Sequence, residues 1–386
     1  MMSSATCTGR ILALDRARTI ITLLVVLHHS VLNFTYFGNG DTARWLGFDL
    51  VVLFNDSFFM ACMFLVSGLF VWGELGRKRP TQFLRDRAWR LGVPFLVSIF
   101  VLMPIAYYPT FLRYHLPGTT DFNVLHFWWH TLTIGPWPSG PAWFLWVLLA
   151  LDALATVVWI AAPRLIVTAA RAIAAVRDRP RIAVAGFLGL TLAAYVPLRL
   201  AVGDAAWLAF GPIPIQTSRI LLYASSFFVG VLLGTTDQQT GLLDARGAFA
   251  QGWLRWLGLA LFGYVGILAL IYVKHGVLPD PNALPVWFDV AYSLAFAIFS
   301  AAMASALLAL VLRFSDARLI WLDALRPSAY GIYLVHYIFI IWLQYAVFDL
   351  ALAPVAKFAI VFAGTLAGSW SVVVIARRVP VLARMI

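Results

Sequence analysis

Charged residues are scarce in this sequence. Asp, Glu, Lys and Arg make up 12% of its 386 residues, about half the share found in a typical soluble globular chain. Hydrophobic residues make up 62%, and several stretches of about eighteen or more residues carry almost no charge, which is long enough to cross a bilayer. This composition excludes an ordinary soluble domain and predicts an integral membrane protein.

Cysteine is nearly absent as well. Cys7 and Cys62 lie far apart in the chain and offer neither a disulfide framework nor a metal site. The sequence also has no nucleophilic serine elbow with His and Asp partners, no cluster of metal ligands and no glycine-rich phosphate loop. We therefore expect no bound metal.

The hydrophobic stretches predict an all-α fold, a polytopic membrane bundle of about ten transmembrane helices in a single domain over residues 1–386. The predicted spans are 17–37, 50–74, 90–111, 142–162, 182–202, 217–235, 253–274, 286–312, 328–348 and 355–376. The first apolar run is longer than that of a signal peptide, and no small-x-small cleavage site follows it, so we expect the chain to retain it.

Positive charge accumulates on one side of this topology. With the N-terminus inside, 22 of the 28 lysines and arginines fall in the inner segments. The positive-inside rule therefore predicts that both termini are cytoplasmic. The net charge of +11 follows mostly from this bias and does not indicate a nucleic-acid partner. In the inner segment 163–181 arginines alternate with apolar residues, which predicts a basic helix on the membrane surface.

The first span carries a cation and an imidazole on one stripe. Arg18 and His29 are eleven residues apart, so on a helix they lie within roughly 20° of the same face and about 16 Å apart along the axis. His28 points about 100° away and has the character of a packing residue. An ionisable group within a span usually faces a cavity or a partner, which makes His29 the candidate for chemistry. Arg18 alone has the alternative role of an anchor at the membrane surface.

A second basic group precedes the third span. Arg87 and Arg90 are three residues apart, so on a helix they share one side and can bind an anion together, with Arg85 beside them. The alternative is that these charges only set the topology. A carboxylate commonly orients a catalytic imidazole, which makes Asp56 a candidate to orient His29. A proton relay and a structural polar contact are equal alternatives for this aspartate.

The outer segment 112–141 combines His115, His126 and several tryptophans with prolines and glycines. A long aromatic segment of this kind either lies in the membrane interface or folds as a lid over a site. The sequence leaves both alternatives open.

These residues match the landmarks of a known family. LDRARTIITLLVVLHH resembles the opening of the integral-membrane acyltransferase-3 family, whose signature is an arginine, ten residues and a histidine. FFMACMFLVSGLF, LRDRAWRLGVPF and SAYGIYLVHYIFI resemble the family's second, third and late spans in the right order, and GPAWFL also fits. Arg16 departs from the pattern, since a glycine is common there. The aromatic outer segment and GPAWFL resemble the glucan-succinylating branch.

The resemblance implies transfer of an acyl group from a cytoplasmic acyl-CoA, of the acetyl or succinyl class, to a hydroxyl of a surface or periplasmic carbohydrate, with the enzyme in a bacterial inner membrane. The catalytic residues that it implies are His29, as general base, together with Arg18 and Asp56. The residues that would bind the acyl-CoA donor are Arg18, Arg85, Arg87 and Arg90. The residues that would bind the acceptor substrate are Trp143, Tyr333 and His336. Two alternatives stand beside it. One is a proton-coupled transporter or flippase, which ten spans and buried ionisable groups also suit. The other is an acyltransferase that acts on a small hydrophobic metabolite.

Overall fold

The computed structural model describes residues 3–38, 40–114, 123–135, 137–204, 206–235, 241–281 and 283–385. His115 of the aromatic outer segment lies outside these residues. The helices of the first half are α1 (Ser3–Leu32), α2 (Leu46–Asp56), α3 (Phe59–Gly68), α4 (Val71–Leu75), α5 (Pro80–Arg87), α6 (Val93–Val97), α7 (Met103–Tyr114), α8 (Val124–Thr133), α9 (Trp143–Ala161) and α10 (Pro163–Ala175). Those of the second half are α11 (Pro180–Val202), α12 (Ile220–Thr235), α13 (Ala248–Gln251), α14 (Trp253–Gly276), α15 (Val286–Arg313), α16 (Ile320–Leu325), α17 (Ala329–Val347), α18 (Pro354–Ala376) and α19 (Pro380–Ala383).

The prediction of a polytopic helical bundle is confirmed. Within the described ranges, nine helical stretches are long and apolar enough to cross a membrane. They are Leu46–Leu75, Pro80–Arg113, Gly140–Ala161, Pro180–Val202, Thr217–Thr235, Trp253–Gly276, Val286–Arg313, Ile320–Val347 and Pro354–Ala376. The remaining predicted span, 17–37, corresponds to α1, which is not among the nine. Its apolar part directly follows the charged residues Asp15, Arg16 and Arg18, and its last helical residue is Leu32.

One short pair of strands interrupts the helices. Strand β1 (Trp207–Phe210) runs antiparallel to β2 (Ile213–Gln216), with Trp207 opposite Gln216. The indole of Trp146 on α9 donates to the Pro214 carbonyl at 3.2 Å, so the hairpin packs against the end of that span. The all-α prediction did not include this hairpin, because it is too short to give an alternating pattern of its own.

The third span contains three internal prolines, Pro94, Pro104 and Pro109, and two π-helical turns, Ala88–Gly92 and Ser98–Leu102. Each proline lacks the N–H that would bond the carbonyl four residues earlier. Within a bilayer such a carbonyl needs another donor. The donors are aromatic side chains, Tyr330 on the Arg90 carbonyl, Trp128 on that of Phe100 and Trp342 on that of Ile105. The carbonyl groups that the prolines leave free thus connect the third span to α8 and α17 through hydrogen bonds.

The contacts of Arg16 account for the arginine at a position where the resembled family commonly has a glycine. Its side chain is 3% exposed and forms two bonds to the Asp323 carboxylate, at 2.8 and 2.7 Å. The same guanidinium also donates to the carbonyls of Ser315 and Ala317. Arg16 therefore fixes α1 against the segment that joins α15 to α16. We call this end of the molecule, where α1 passes the end of α15, the basic end of the bundle.

Helices form in both the basic inner segment and the aromatic outer segment. Helix α10 follows α9 directly, and the rings of Trp72 and Trp159 lie 4.3 Å apart, which brings α4 and the end of α9 together. Within the described part of the aromatic segment, α8 contacts α7. Leu125 and Trp129 on this helix and Ile134 directly after it are exposed. Exposed aromatic and aliphatic residues of this kind are typical of a helix in the membrane interface.

Candidate active site

Two histidines from distant parts of the chain meet inside the bundle. The ring centroids of His29 on α1 and His336 on α17 lie 5.5 Å apart. Tyr337 completes the group, with its ring 5.3 Å from that of His29. Helices α1 and α17 pack directly against each other. The structure therefore brings together two histidines that are separate candidates in the sequence.

The hydrogen bond of His336 determines which of its ring nitrogens carries a proton. Nδ1 lies 2.7 Å from the Tyr333 carbonyl oxygen, on the preceding turn of α17. A carbonyl oxygen only accepts, so Nδ1 is the donor and Nε2 keeps its lone pair in the neutral ring. His336 is fully buried, and among the described residues its Nε2 has no hydrogen-bond partner. A buried acceptor without a protein partner calls for an explanation, and a ligand, a proton or an ordered water would each supply one.

The neighbouring residues hold this group in a fixed place. The hydroxyls of Tyr107 and Tyr337 lie 3.2 Å apart, and the Tyr333 hydroxyl donates to the carbonyl of Pro141. Gly140, which precedes that proline, has φ +49°, a conformation that favours glycine. A side chain at this position would also meet Met103 and the Tyr337 ring. The glycine therefore allows the turn before α9 to approach α17 closely.

His28 and His29 have different surroundings. His28 is 8% exposed, and its ring lies 5.3 Å from that of Phe59. His29 is half-buried and faces His336 and Tyr337. The ring of His28 thus packs against Phe59, with its Nδ1 unpartnered among the described residues, whereas His29 contacts the residues of the histidine group.

Three of the four predicted donor-binding arginines come together at the basic end. The Arg18 guanidinium stacks on the Phe70 ring, 4.1 Å from its centroid, and lies 3.7 Å from the Asp15 carboxylate. Arg87 and Arg90 lie close enough for their positive charges to repel that of Arg18. Arg18 and His29 lie on one uninterrupted helix, which keeps their separation along the axis at about 16 Å.

Carboxylates hold part of this arginine cluster. Arg87 lies 3.4 Å from Asp152, whose side chain is 1% exposed, and 3.6 Å from Glu74. Arg90 is exposed, and its backbone carbonyl accepts the Tyr330 hydroxyl. Arg85 is also exposed, but it precedes Arg87 by two residues and so points about 200° away from it. The cluster therefore consists of Arg18, Arg87 and Arg90, with Arg85 on the opposite side of α5.

Asp56 does not contact His29. Its carboxylate accepts a 2.6 Å bond from Arg219, which also donates to the Asp56 carbonyl at 3.0 Å. Asp56 is therefore paired with Arg219 and does not orient His29 in this structure. Arg219 was not selected from the sequence, although it is one of the few cations that fall on the outer side of the predicted topology. A cation on the outer side departs from the charge bias, and this departure is the feature of the sequence that points to Arg219.

Trp143 belongs to an aromatic cluster beside this ion pair. Its ring lies 5.5 Å from that of Tyr223 and 6.4 Å from that of Trp207. Tyr223 in turn interacts with the Arg219 guanidinium. The structure therefore places Tyr333 and His336 at the histidine group and Trp143 in a separate cluster near Asp56. Among the described residues, no three His, Cys, Asp or Glu side chains come together in a way that could hold a metal ion.

Arg18 and His29, eleven residues apart on α1, have the spacing of the acyltransferase signature. The family model described as an acyltransferase domain matches residues 11–374. The chain therefore belongs to the integral-membrane acyltransferase-3 family and is an acyl-transferring enzyme. No curated protein shows significant similarity to the chain.

Proposed function

We propose that this protein transfers an acetyl or succinyl group from cytoplasmic acyl-CoA to a hydroxyl of a surface or periplasmic carbohydrate, with His29 as the general base. The observation that carries this proposal is the course of α1. One helix presents Arg18 to the arginine cluster and His29 to His336.

The arginine cluster is suited to the phosphates of CoA. Arginine binds phosphate through paired, charge-assisted hydrogen bonds. Arg18 has 37% of its side chain exposed, and Arg90 is exposed too, so both remain accessible to an anion. Asp152 and Glu74 fix the position of the Arg87 guanidinium, whose positive charge belongs to the same cluster as Arg18 and Arg90. The extended pantetheine arm of CoA is of the same order as the ~16 Å from Arg18 to His29, so its thioester would arrive at the histidines.

The reaction would then proceed at His29. The neutral imidazole takes the proton of the acceptor hydroxyl while the hydroxyl oxygen attacks the thioester carbonyl. A C–O bond forms, the C–S bond breaks, and the CoA thiolate leaves and takes the proton from the His29 imidazolium. The products are the ester and free CoA, and no further reactant is needed. The free Nε2 of His336 would accept a hydrogen bond from a neighbouring hydroxyl of the carbohydrate and so orient the reacting hydroxyl toward His29.

The acceptor would approach from the end of the bundle opposite the arginine cluster. Asp56 keeps 44% of its side chain exposed although it pairs with Arg219, so its carboxylate remains open to a ligand. Trp143 and Trp207 provide flat apolar faces near it, and the buried Tyr223 packs against Trp143. Charged hydrogen-bonding groups next to aromatic faces are complementary to a polyhydroxylated ring.

Purified protein in lipid vesicles tests this function directly. Acetyl-CoA or succinyl-CoA, labelled in the acyl group, is added together with surface glycans from a deletion strain. We expect release of free CoA and transfer of the label to base-labile ester on the glycan. Failure of the protein to bind either acyl-CoA would contradict the proposal and favour a carrier. Labelling of an apolar metabolite in place of glycan would retain the enzyme and replace the acceptor.

A further inference from the structure

An apolar cavity lies at the basic end of the bundle, between α10, α11, α12 and α15. It encloses about 350 Å³, within the range of about 300–1,000 Å³ that is typical of small-ligand sites. Representative lining residues are Ile173, Phe187, Val229, Leu232, Leu243 and Leu308. The lining side chains include one hydroxyl, that of Ser305, which already donates to the Ala301 carbonyl of its own helix at 2.8 Å. The cavity therefore offers a ligand mainly apolar contacts.

The cavity opens along α11. Ile182, Gly186 and Leu190 belong to its lining and are exposed. A Cβ atom added at Gly186 would meet no other atom within 4 Å, so the glycine leaves free space at the opening. Helix α11 is one of the membrane-spanning stretches with the smallest buried share, so this opening faces the bilayer. A ligand from the lipid phase can enter here without crossing water.

Exposed arginines lie at the mouth of the cavity. Arg177 directly follows the lining residue Val176, and Arg181 directly precedes the lining residue Ile182. Arg179 lies between them and is also exposed. In this connection the opposing charge comes from Asp178, which lies 3.4 Å from Arg177 and is itself 88% exposed. The segment 177–181 thus presents a net positive charge beside an apolar cavity.

We infer that this site binds an anionic phospholipid, with an acyl chain in the cavity and the phosphate headgroup on Arg177, Arg179 and Arg181. The cavity accounts for the chain, because burial of apolar surface drives its insertion. The arginines account for the charge, because basic residues next to a membrane helix attract anionic headgroups. The residues of the histidine group and of the arginine cluster around Arg18 do not line this cavity. The inference therefore does not depend on the proposed function.

Two glycines on α11 allow a matched test. Gly186→Phe places a ring in the opening, where the added side chain has space. Gly189→Phe introduces the same ring on the same helix at an exposed position that also has space but does not line the cavity. A third variant, Arg177→Gln/Arg179→Gln/Arg181→Gln, removes the charge and leaves the cavity unchanged. The probes are spin-labelled phosphatidylglycerol and spin-labelled phosphatidylcholine, titrated into delipidated full-length protein in detergent.

The expected result is saturable binding of about one phosphatidylglycerol per chain, at least tenfold tighter than binding of phosphatidylcholine. Gly186→Phe should lose this binding and Gly189→Phe should keep it. The arginine variant should weaken it at least tenfold, since each basic residue near a headgroup changes affinity by about fivefold. Equal binding of both lipids, retention of binding in Gly186→Phe, or an equal loss in both glycine variants would overturn the inference. Full displacement of the lipid by millimolar inorganic phosphate would also overturn it, because the cavity would then contribute nothing.

Discussion

The imidazole rings of His29 and His336 lie 5.5 Å apart, although 307 positions separate them in the chain. His336 donates through Nδ1 to the Tyr333 carbonyl and turns a free, buried Nε2 toward the interior. A carbohydrate between the rings would find His29 as the base for its reacting hydroxyl and His336 as the hydrogen-bond acceptor for a neighbouring hydroxyl. This relationship leads to the first prediction.

His336→Ala should lower kcat about ten- to hundredfold, the usual cost of losing a group that orients a reacting partner. The KM for acyl-CoA should stay within about twofold, because the arginine cluster lies elsewhere. Steady-state kinetics with acyl-CoA and acceptor varied in turn separate the two parameters. A rise in the KM for acyl-CoA with unchanged kcat would show that His336 binds the donor instead.

Arg18→Gln and Arg90→Gln should each raise the KM for acyl-CoA by about tenfold or more, since a hydrogen bond to a charged group contributes about 1.5–3 kcal/mol. Arg85→Gln is the matched control, because Arg85 is exposed on the opposite side of α5 and should change the KM little. Isothermal titration with non-hydrolysable acyl-CoA measures the effect without turnover. If Arg85→Gln weakens binding as much as Arg90→Gln does, the charge of the whole loop acts, and no defined cluster exists.

Arg16→Gln should reduce the free energy of unfolding by about 1.5–3 kcal/mol, because it leaves the half-buried Asp323 and the carbonyls of Ser315 and Ala317 without their cation. Arg318→Gln removes an exposed arginine from the same region and should change stability by less than about 0.5 kcal/mol. Denaturant unfolding in detergent, followed by tryptophan fluorescence, compares the two. Equal stability of both variants would mean that Arg16 does not fix α1 to the α15–α16 segment.

Tyr330→Phe should cost about 1–3 kcal/mol of stability, because it leaves the Arg90 carbonyl, already deprived of a helical donor by Pro94, without the hydroxyl of α17. Tyr272→Phe removes a hydroxyl from a side chain that is 71% exposed and serves as the control. The same unfolding experiment gives both values. A neutral effect of Tyr330→Phe would show that another donor satisfies that carbonyl.

The helical spans could be predicted because each is an apolar run whose length matches the bilayer. The sequence pattern also identified Arg18, Arg87, Arg90, His29 and His336, since charged groups in such runs stand out. The partners across the bundle could not be predicted. Asp56 forms its ion pair with Arg219 and not with His29. The aromatic side chains that donate to the third span come from positions more than twenty residues away in the chain. Such contacts depend on how helices pack, which hydropathy does not encode.

The most direct test of the central claim is the comparison of His29→Gln with His28→Gln. The two histidines are neighbours on α1, but His28 packs against Phe59 and His29 faces His336. For folded protein in lipid vesicles, we predict that His29→Gln lowers acyl transfer at least about a hundredfold with unchanged acyl-CoA affinity, the loss expected for a general base. His28→Gln should retain transfer within a few fold. Undiminished transfer by His29→Gln would contradict the account.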